Sequence, residues 1–171
     1  KWGGKYLRAP DIFFTILEKG KDKLVKLGDI AEVRFGIKTG ANEFFYLTDE
    51  QIDKWKIEKE FLKPVIKSPR ECKSILVNPK DLKYKIFMCN KSKEELKGTN
   101  ALGYIEWGEN EGFNKKPTVM NRKYWWQNPD FNSNIFMQMS YNDIFKFWYS
   151  KGKIRCDARL YTISLKSEED V

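Results

Sequence analysis

DIAEVRFGIKTGANEFFYL, residues 29–47, is the stretch on which the fold turns. Its first part, Ile30-Ala31-Glu32-Val33-Arg34-Phe35, alternates with the period of a half-buried strand. Its last part, Phe44-Phe45-Tyr46-Leu47, is a second apolar run. Between them, Gly36-Ile37-Lys38-Thr39-Gly40-Ala41-Asn42 is too long and too rich in Gly and Asn for a tight turn. The pattern predicts a hairpin whose loop can approach another surface closely, because glycine lacks a Cβ. Lys and Arg there supply charge for phosphates, while Thr and Asn can bond phosphates or base edges. A loop whose glycines serve only the turn fits the same residues.

Working outward, Pro10-Asp11 followed by Ile12, Phe13, Ile16 and Leu17 predicts a short amphipathic helix ended by Gly20. The lysine-rich stretch 20–26 reads as a connector. Downstream, Thr48-Asp49-Glu50-Gln51 reads as a helix start, with Thr48 or Asp49 as the cap. The apolar run 61–66 breaks at Ser68-Pro69-Arg70. Strands are expected at Ser74–Val77 and Tyr84–Cys89, separated by an Asn78-Pro79-Lys80-Asp81 turn. Helices are expected at Ser92–Leu96 and Ala101–Trp107, a loop over 108–117, and strands at Ile135–Met139 and Lys153–Ser164. Strands outnumber helices. The fold class expected is α+β: a mixed, mainly antiparallel sheet with short flanking helices and an N-terminal linker helix. Residues 1–26 read as linker and helix, and 27–171 as one domain.

Composition narrows the function. Lys and Arg outnumber Asp and Glu by 32 to 24, a formal charge of +8 that is not gathered in a tail. Such a surface favours a polyanion, since each cation placed on a phosphate releases a condensed counterion. Histidine is absent, which removes the commonest general base and most zinc and iron sites. Cys72, Cys89 and Cys156 form no CxxC pair and read as thiols of a cytoplasmic protein. No apolar run is long enough for a membrane span, and Lys1–Pro10 lacks a signal peptide's apolar core. The chain opens on Lys1 and stops at Val171, and reads as a fragment of something larger.

Several catalytic look-alikes fail. Asn128-Pro129-Asp130-Phe131 and Asn78-Pro79-Lys80-Asp81 approach the sequence with which amino-group methylases hold a flipped base, but both lack its second proline. Lys38-Thr39-Gly40, Ser140-Tyr141-Asn142 and Ser150-Lys151-Gly152-Lys153 imitate the short elements of penicillin-binding enzymes in the wrong order. No phosphate-binding GxxxxGK[ST] or GxGxxG loop is present. No catalytic residue, cofactor site or metal site is expected in this chain. Three basic clusters remain: the 34–42 stretch, Lys63–Arg70 with its stiffening prolines, and Lys115, Lys116, Arg122 and Lys123 running into Trp125-Trp126. A solvated loop also accounts for the second cluster, and a core tryptophan pair accounts for Trp125-Trp126 better than a DNA contact does.

Six blocks stand in order: Lys5–Pro10, the 29–47 stretch, FLKPVIKSPRE at 61–71, GYIEWGE at 103–109, KPTVMNRKYWW at 116–126 and IRCDARLYTI at 154–163. Together they resemble the C-terminal target-recognition region of TaqI-type adenine-specific (N6) DNA methyltransferases of restriction-modification systems. The resemblance implies a domain that reads double-stranded DNA. The same parent chain would carry a catalytic domain binding S-adenosylmethionine, joined through Lys1–Arg8, and the recognition domain would be cut short at its C-terminus. It places the 36–42 loop at the DNA face or the domain junction. The DNA-binding candidates are Arg34, Lys38, Thr39, Asn42, Lys67, Arg70, Arg122 and Lys123. Asp157 with Arg155 and Arg159 fits a structural ion pair and a DNA contact equally. The other reading is an interaction domain whose basic face docks the catalytic domain, or RNA, without reading sequence.

Overall fold

The computed structural model describes residues 10–140 and 144–166; the Lys5–Ala9 block and the Tyr141-Asn142 pair lie outside them. The chain divides into two compact units, residues 1–32 with 165–171, and Val33–Ser164.

In the first unit, helix α1 (Asp11–Lys19) starts after extended Pro10, with Asp11 in its first turn, Lys19 in its last and Gly20 as C-cap. These charges oppose the helix dipole at each end. A single turn, α2 (Leu27–Ile30), follows. Lys166 ties this unit together: its N–H donates to the Ile30 carbonyl at 2.9 Å, and its ammonium donates to the Gly28 and Asp29 carbonyls at 2.6 and 3.1 Å.

The strands are β1 (Ala31–Phe35), β2 (Tyr46–Leu47), β3 (Leu62–Ile66), β4 (Tyr84–Phe87), β5 (Ser133–Gln138), β6 (Phe147–Cys156) and β7 (Leu160–Leu165), in the sheet order β1-β7-β5-β6-β3-β4-β2. β2 with β4, β3 with β4, β5 with β6 and β5 with β7 pair antiparallel, and β3 meets the end of β6 in parallel, with Val65 opposite Arg155 and Ile66 opposite Cys156. The α+β class holds. The expected hairpin does not: β1 and β2 lie at opposite ends of the strand order. The chain between them turns through a short helix, α3 (Asn42–Phe45), that drives two phenylalanines inward.

Phe44 and Phe45 are fully buried. The Phe44 ring stacks on Tyr104 at 4.6 Å and packs against Phe87, Trp125 and Phe113. Such pairs add to the area term of burial. The Tyr104 hydroxyl donates to the Phe44 carbonyl at 2.6 Å, so the buried phenol is satisfied. Tyr104 belongs to α5 (Asn100–Asn110), capped by Thr99 and by the Glu58 carboxylate, which accepts from the Asn100 and Ala101 N–H groups at 2.6 and 3.1 Å. Helix α4 (Asp49–Trp55) opens at Thr48, one of the two caps expected, which forms a capping box with Gln51. A second cluster, including Ile66, Val77, Phe136, Trp148, Ile154, Cys156 and Leu160, fills the space beside β5 and β6.

Four further expectations are corrected. Ser74–Val77 forms no strand; it makes only a parallel bridge from Leu76 to Tyr149. Ser92–Leu96 is turn rather than helix, and helix α5 runs through the Gly108–Asn110 stretch expected as loop. The C-terminal strand expected at 153–164 is two strands, β6 and β7, which flank β5 and are separated by a corner at 157–159.

Candidate nucleic-acid interface

The 36–42 loop is built in rather than loosely displayed. The Gly36 N–H donates to the Leu160 carbonyl at 2.9 Å, the Ile37 N–H to Cys156 at 2.7 Å, and the Ala158 N–H to Ile37 at 3.1 Å. A Cβ on Gly36 would collide with the Asp157 backbone, so the glycine is required by close approach. The Thr118 hydroxyl donates to the Gly40 carbonyl at 3.0 Å. Phe44 and Phe45 anchor the far end in the core.

Arg122 fastens the middle. Its two terminal nitrogens donate to the carbonyls of Lys38 (3.1 Å), Thr39 (2.8 Å) and Gln127 (2.8 Å) and to Asn128 Oδ1 (2.9 Å). Its guanidinium lies 5.7 Å from the Phe45 ring centre. Burial lowers its pKa from the ordinary arginine value. A guanidinium so engaged holds the loop. Thr39 also faces inward: it is 1% exposed, and its hydroxyl bonds Asn42 Oδ1 at 2.5 Å. These geometries assign Thr39 and Arg122 to the loop's framework, where the sequence suggested DNA contact.

Lys38 and Asn42 are exposed on that framework, and Arg70 is exposed on the 3-10 turn Pro69–Glu71. Lys67 is half-buried, its ammonium 3.9 Å from the Tyr84 ring centre and 5.3 Å from that of Tyr46. The two rings hold the charge by cation–π attraction. Tyr46 in turn donates its hydroxyl to Asp157 Oδ2 at 2.6 Å, and Asp157 Oδ1 accepts from Arg159 Nε at 2.9 Å. Burial, then the Asp157 hydrogen bond, raises the Tyr46 pKa far above the phenolic range. The ion pair expected at 155–159 is therefore Asp157 with Arg159, while Arg155 pairs with Asp130 at 2.6 Å. Lys116 pairs with Glu43 at 3.2 Å. Hydrogen bonds to the Glu43 backbone and to Lys116 lower that carboxyl's pKa.

Lys67 and Arg159, from two separate blocks, thus lie around Tyr46 and Asp157, while Lys38 and Asn42 are exposed on the loop whose Ile37 bridges Asp157. Arg34 sits on β1, two positions before Gly36, and Lys123 lies beside the Arg122 clamp with its ammonium 5.2 Å from the Tyr124 ring. The sequence reading missed Tyr46 and Tyr84. The available signal was a hydroxyl in an otherwise apolar FFYL run, which needs a partner once buried. Among the described residues no group of carboxylates and thiols could hold a metal ion.

Residues 40–46 are therefore contacted from the blocks 61–71, 103–109, 116–126 and 154–163, through Lys67, Tyr104, Thr118 and Asp157. The model of the C-terminal domain of the type II methyltransferase M.Eco57I matches residues 1–171, and the chain belongs to that family. Among individual relatives, the type II methyltransferase M.AccI of Acinetobacter calcoaceticus is 27% identical over 132 residues, covering 74% of this chain and 23% of that protein. The crystal structure of the type IIG restriction endonuclease BpuSI matches 93% of this chain and 21% of its own at 10% identity with a TM-score of 0.56, a likeness of fold. The chain spans less than a quarter of either relative's length. No helix among the described residues is long and apolar enough to cross a membrane.

Proposed function

We propose that this chain is the target-recognition domain of an adenine-specific DNA methyltransferase of a restriction-modification system, binding double-stranded DNA sequence-specifically in the cytoplasm. The observation that carries the reading is the braced 36–42 loop, on which Lys38 and Asn42 are exposed. Such a rigid platform loses little order on binding, and preorganised contacts retain more of their interaction energy. Lys38, Lys67, Arg70 and Lys123 supply phosphate charge, with Arg34 as a further cation. Asn42 is the candidate for base-edge hydrogen bonding, since an amide can pair bidentately with adenine. The domain performs no chemistry in this reading. S-adenosylmethionine belongs to the catalytic domain of the same parent chain; this sequence has no glycine-rich strand-to-helix loop to hold it.

The test is fluorescence-anisotropy binding to mixed duplex DNA across a salt series, with RNA duplex as competitor. Duplex-preferring binding that weakens linearly in log–log salt, and weakens further in Lys38→Ala and Asn42→Ala, supports the reading. A folded chain that ignores duplex DNA at low salt refutes it and leaves a domain that docks its catalytic partner.

A further inference from the structure

The sheet carries a second surface that the loop platform does not use. The pleat sends Phe136, Trp148 and Thr162 inward, each no more than 4% exposed, and sends their strand neighbours to the opposite face. There Met137 is the cross-strand partner of both Phe147 and Tyr161, and Ile135 of Tyr149. Phe35 lies against Tyr161 with ring centres 4.8 Å apart, and Phe145 against Phe147 at 5.8 Å. Phe35 is 57% exposed, Phe147 47% and Tyr149 45%. Residues 144–156 also carry Lys146, Lys151, Lys153 and Arg155 with no carboxylate among them. Arg155 is held by Asp130, and the three lysines are exposed.

We infer that this face is a stacking platform for unpaired nucleotide bases, with Lys146, Lys151 and Lys153 on the phosphates of a single strand. Two observations favour that occupant. Aromatics and lysines share strand β6, as Phe147, Tyr149, Lys151 and Lys153, whereas protein–protein interfaces enrich aromatics but deplete lysine. Phe35 and Tyr161 pair across neighbouring strands, and Met137 lies between Tyr161 and Phe147; a ring face can stack only on a base whose own face is open. A duplex hides those faces, so this surface is distinct from the duplex-reading loop and does not rest on it.

The test uses the whole chain and three short labelled probes of equal length: a mixed single strand, the same strand made abasic, and a duplex. The single strand should bind about tenfold more tightly than its abasic counterpart, the scale of one stacked base. Phe147→Leu and Tyr149→Leu keep an apolar side chain but lose the ring; they should weaken single-strand binding by about the same factor and leave duplex binding unchanged. Phe147→Tyr should bind as the parent does. Thermal melts confirm that each variant folds, and if a leucine variant does not, the abasic comparison on the unmodified chain decides. Equal binding of abasic and natural strands, or folded leucine variants that bind like the parent, would overturn the inference and mark the face as a protein-docking surface. The duplex arm reports separately on target recognition.

Discussion

Arg122 shows how a cation in a basic cluster can be structural. Both terminal nitrogens of its guanidinium point at oxygens of two segments, 38–39 and 127–128. Replacing it with Met would leave carbonyls of the loop without those donors, at a cost of about 1–3 kcal/mol; urea denaturation of Arg122→Met should show that loss. Arg122→Lys should recover only part of it, because an ammonium cannot reproduce the planar fork that reaches both segments. Glu71 makes an opposite case. Its Oε2 is buried without a hydrogen-bond partner among the described residues, and desolvation raises its pKa although Lys67 pulls the other way. A carboxyl raised in the folded state favours folding at acid pH, and that contribution is lost as pH rises through the raised value. Glu71→Gln should therefore raise the urea midpoint at neutral pH, with the gain shrinking as pH falls through the carboxylate range. A gain independent of pH would show that ionisation of Glu71 is not the cause.

At the scale of elements, the 29–47 stretch works as a unit: an edge strand, a braced loop and a phenylalanine anchor. Gly36→Ala should disturb it most economically, because the new methyl meets the Asp157 backbone rather than a flexible side chain. The expected result is a destabilisation of about 1–3 kcal/mol in denaturant melts, together with weaker duplex binding as Lys38 loses its position. Local signals in the sequence were legible. The strand expected over 30–35 is found at Ala31–Phe35, though exposed after Ala31, and the helix start at 48–49 and the breaks at Gly20 and Pro69 correspond to real element ends. Pairing was not legible, because Tyr46 finds Ile86 and Leu47 finds Lys85 far along the chain, and no local residue encodes that choice. Gly108 misled for a related reason. As a breaker it predicts a loop, but it sits inside α5 because a Cβ there would strike the Phe44 and Trp125 rings. For the candidate site, charge clusters did not distinguish Arg122, whose guanidinium bonds the protein's own carbonyls, from Lys38, which is exposed.

For the whole molecule, the formal charge of +8 sets how strongly any polyanion is attracted, while the fold sets which cations reach phosphates. Those two contributions separate in the salt dependence of duplex binding. Each phosphate neutralised by the protein contributes about −0.9 to the slope of log affinity against log salt. Removing one cation that touches phosphate should therefore make the slope shallower by about 1. Lys38→Ala and Arg70→Ala, both at exposed positions, should each do so with little change in stability. Arg122→Met removes the same formal charge, yet its guanidinium is engaged by the protein's own carbonyls. It should lower affinity by loosening the 36–42 loop while leaving the slope per bound molecule unchanged at salt concentrations where the fold persists. If Arg122→Met instead shifts the slope as Lys38→Ala does, the clamp opens on binding and the guanidinium moves to phosphate. The loop would then be a conformational element rather than a rigid platform. Unchanged slopes in all three variants would mean that the cations on phosphate lie elsewhere on the surface, and would move the duplex interface away from this loop.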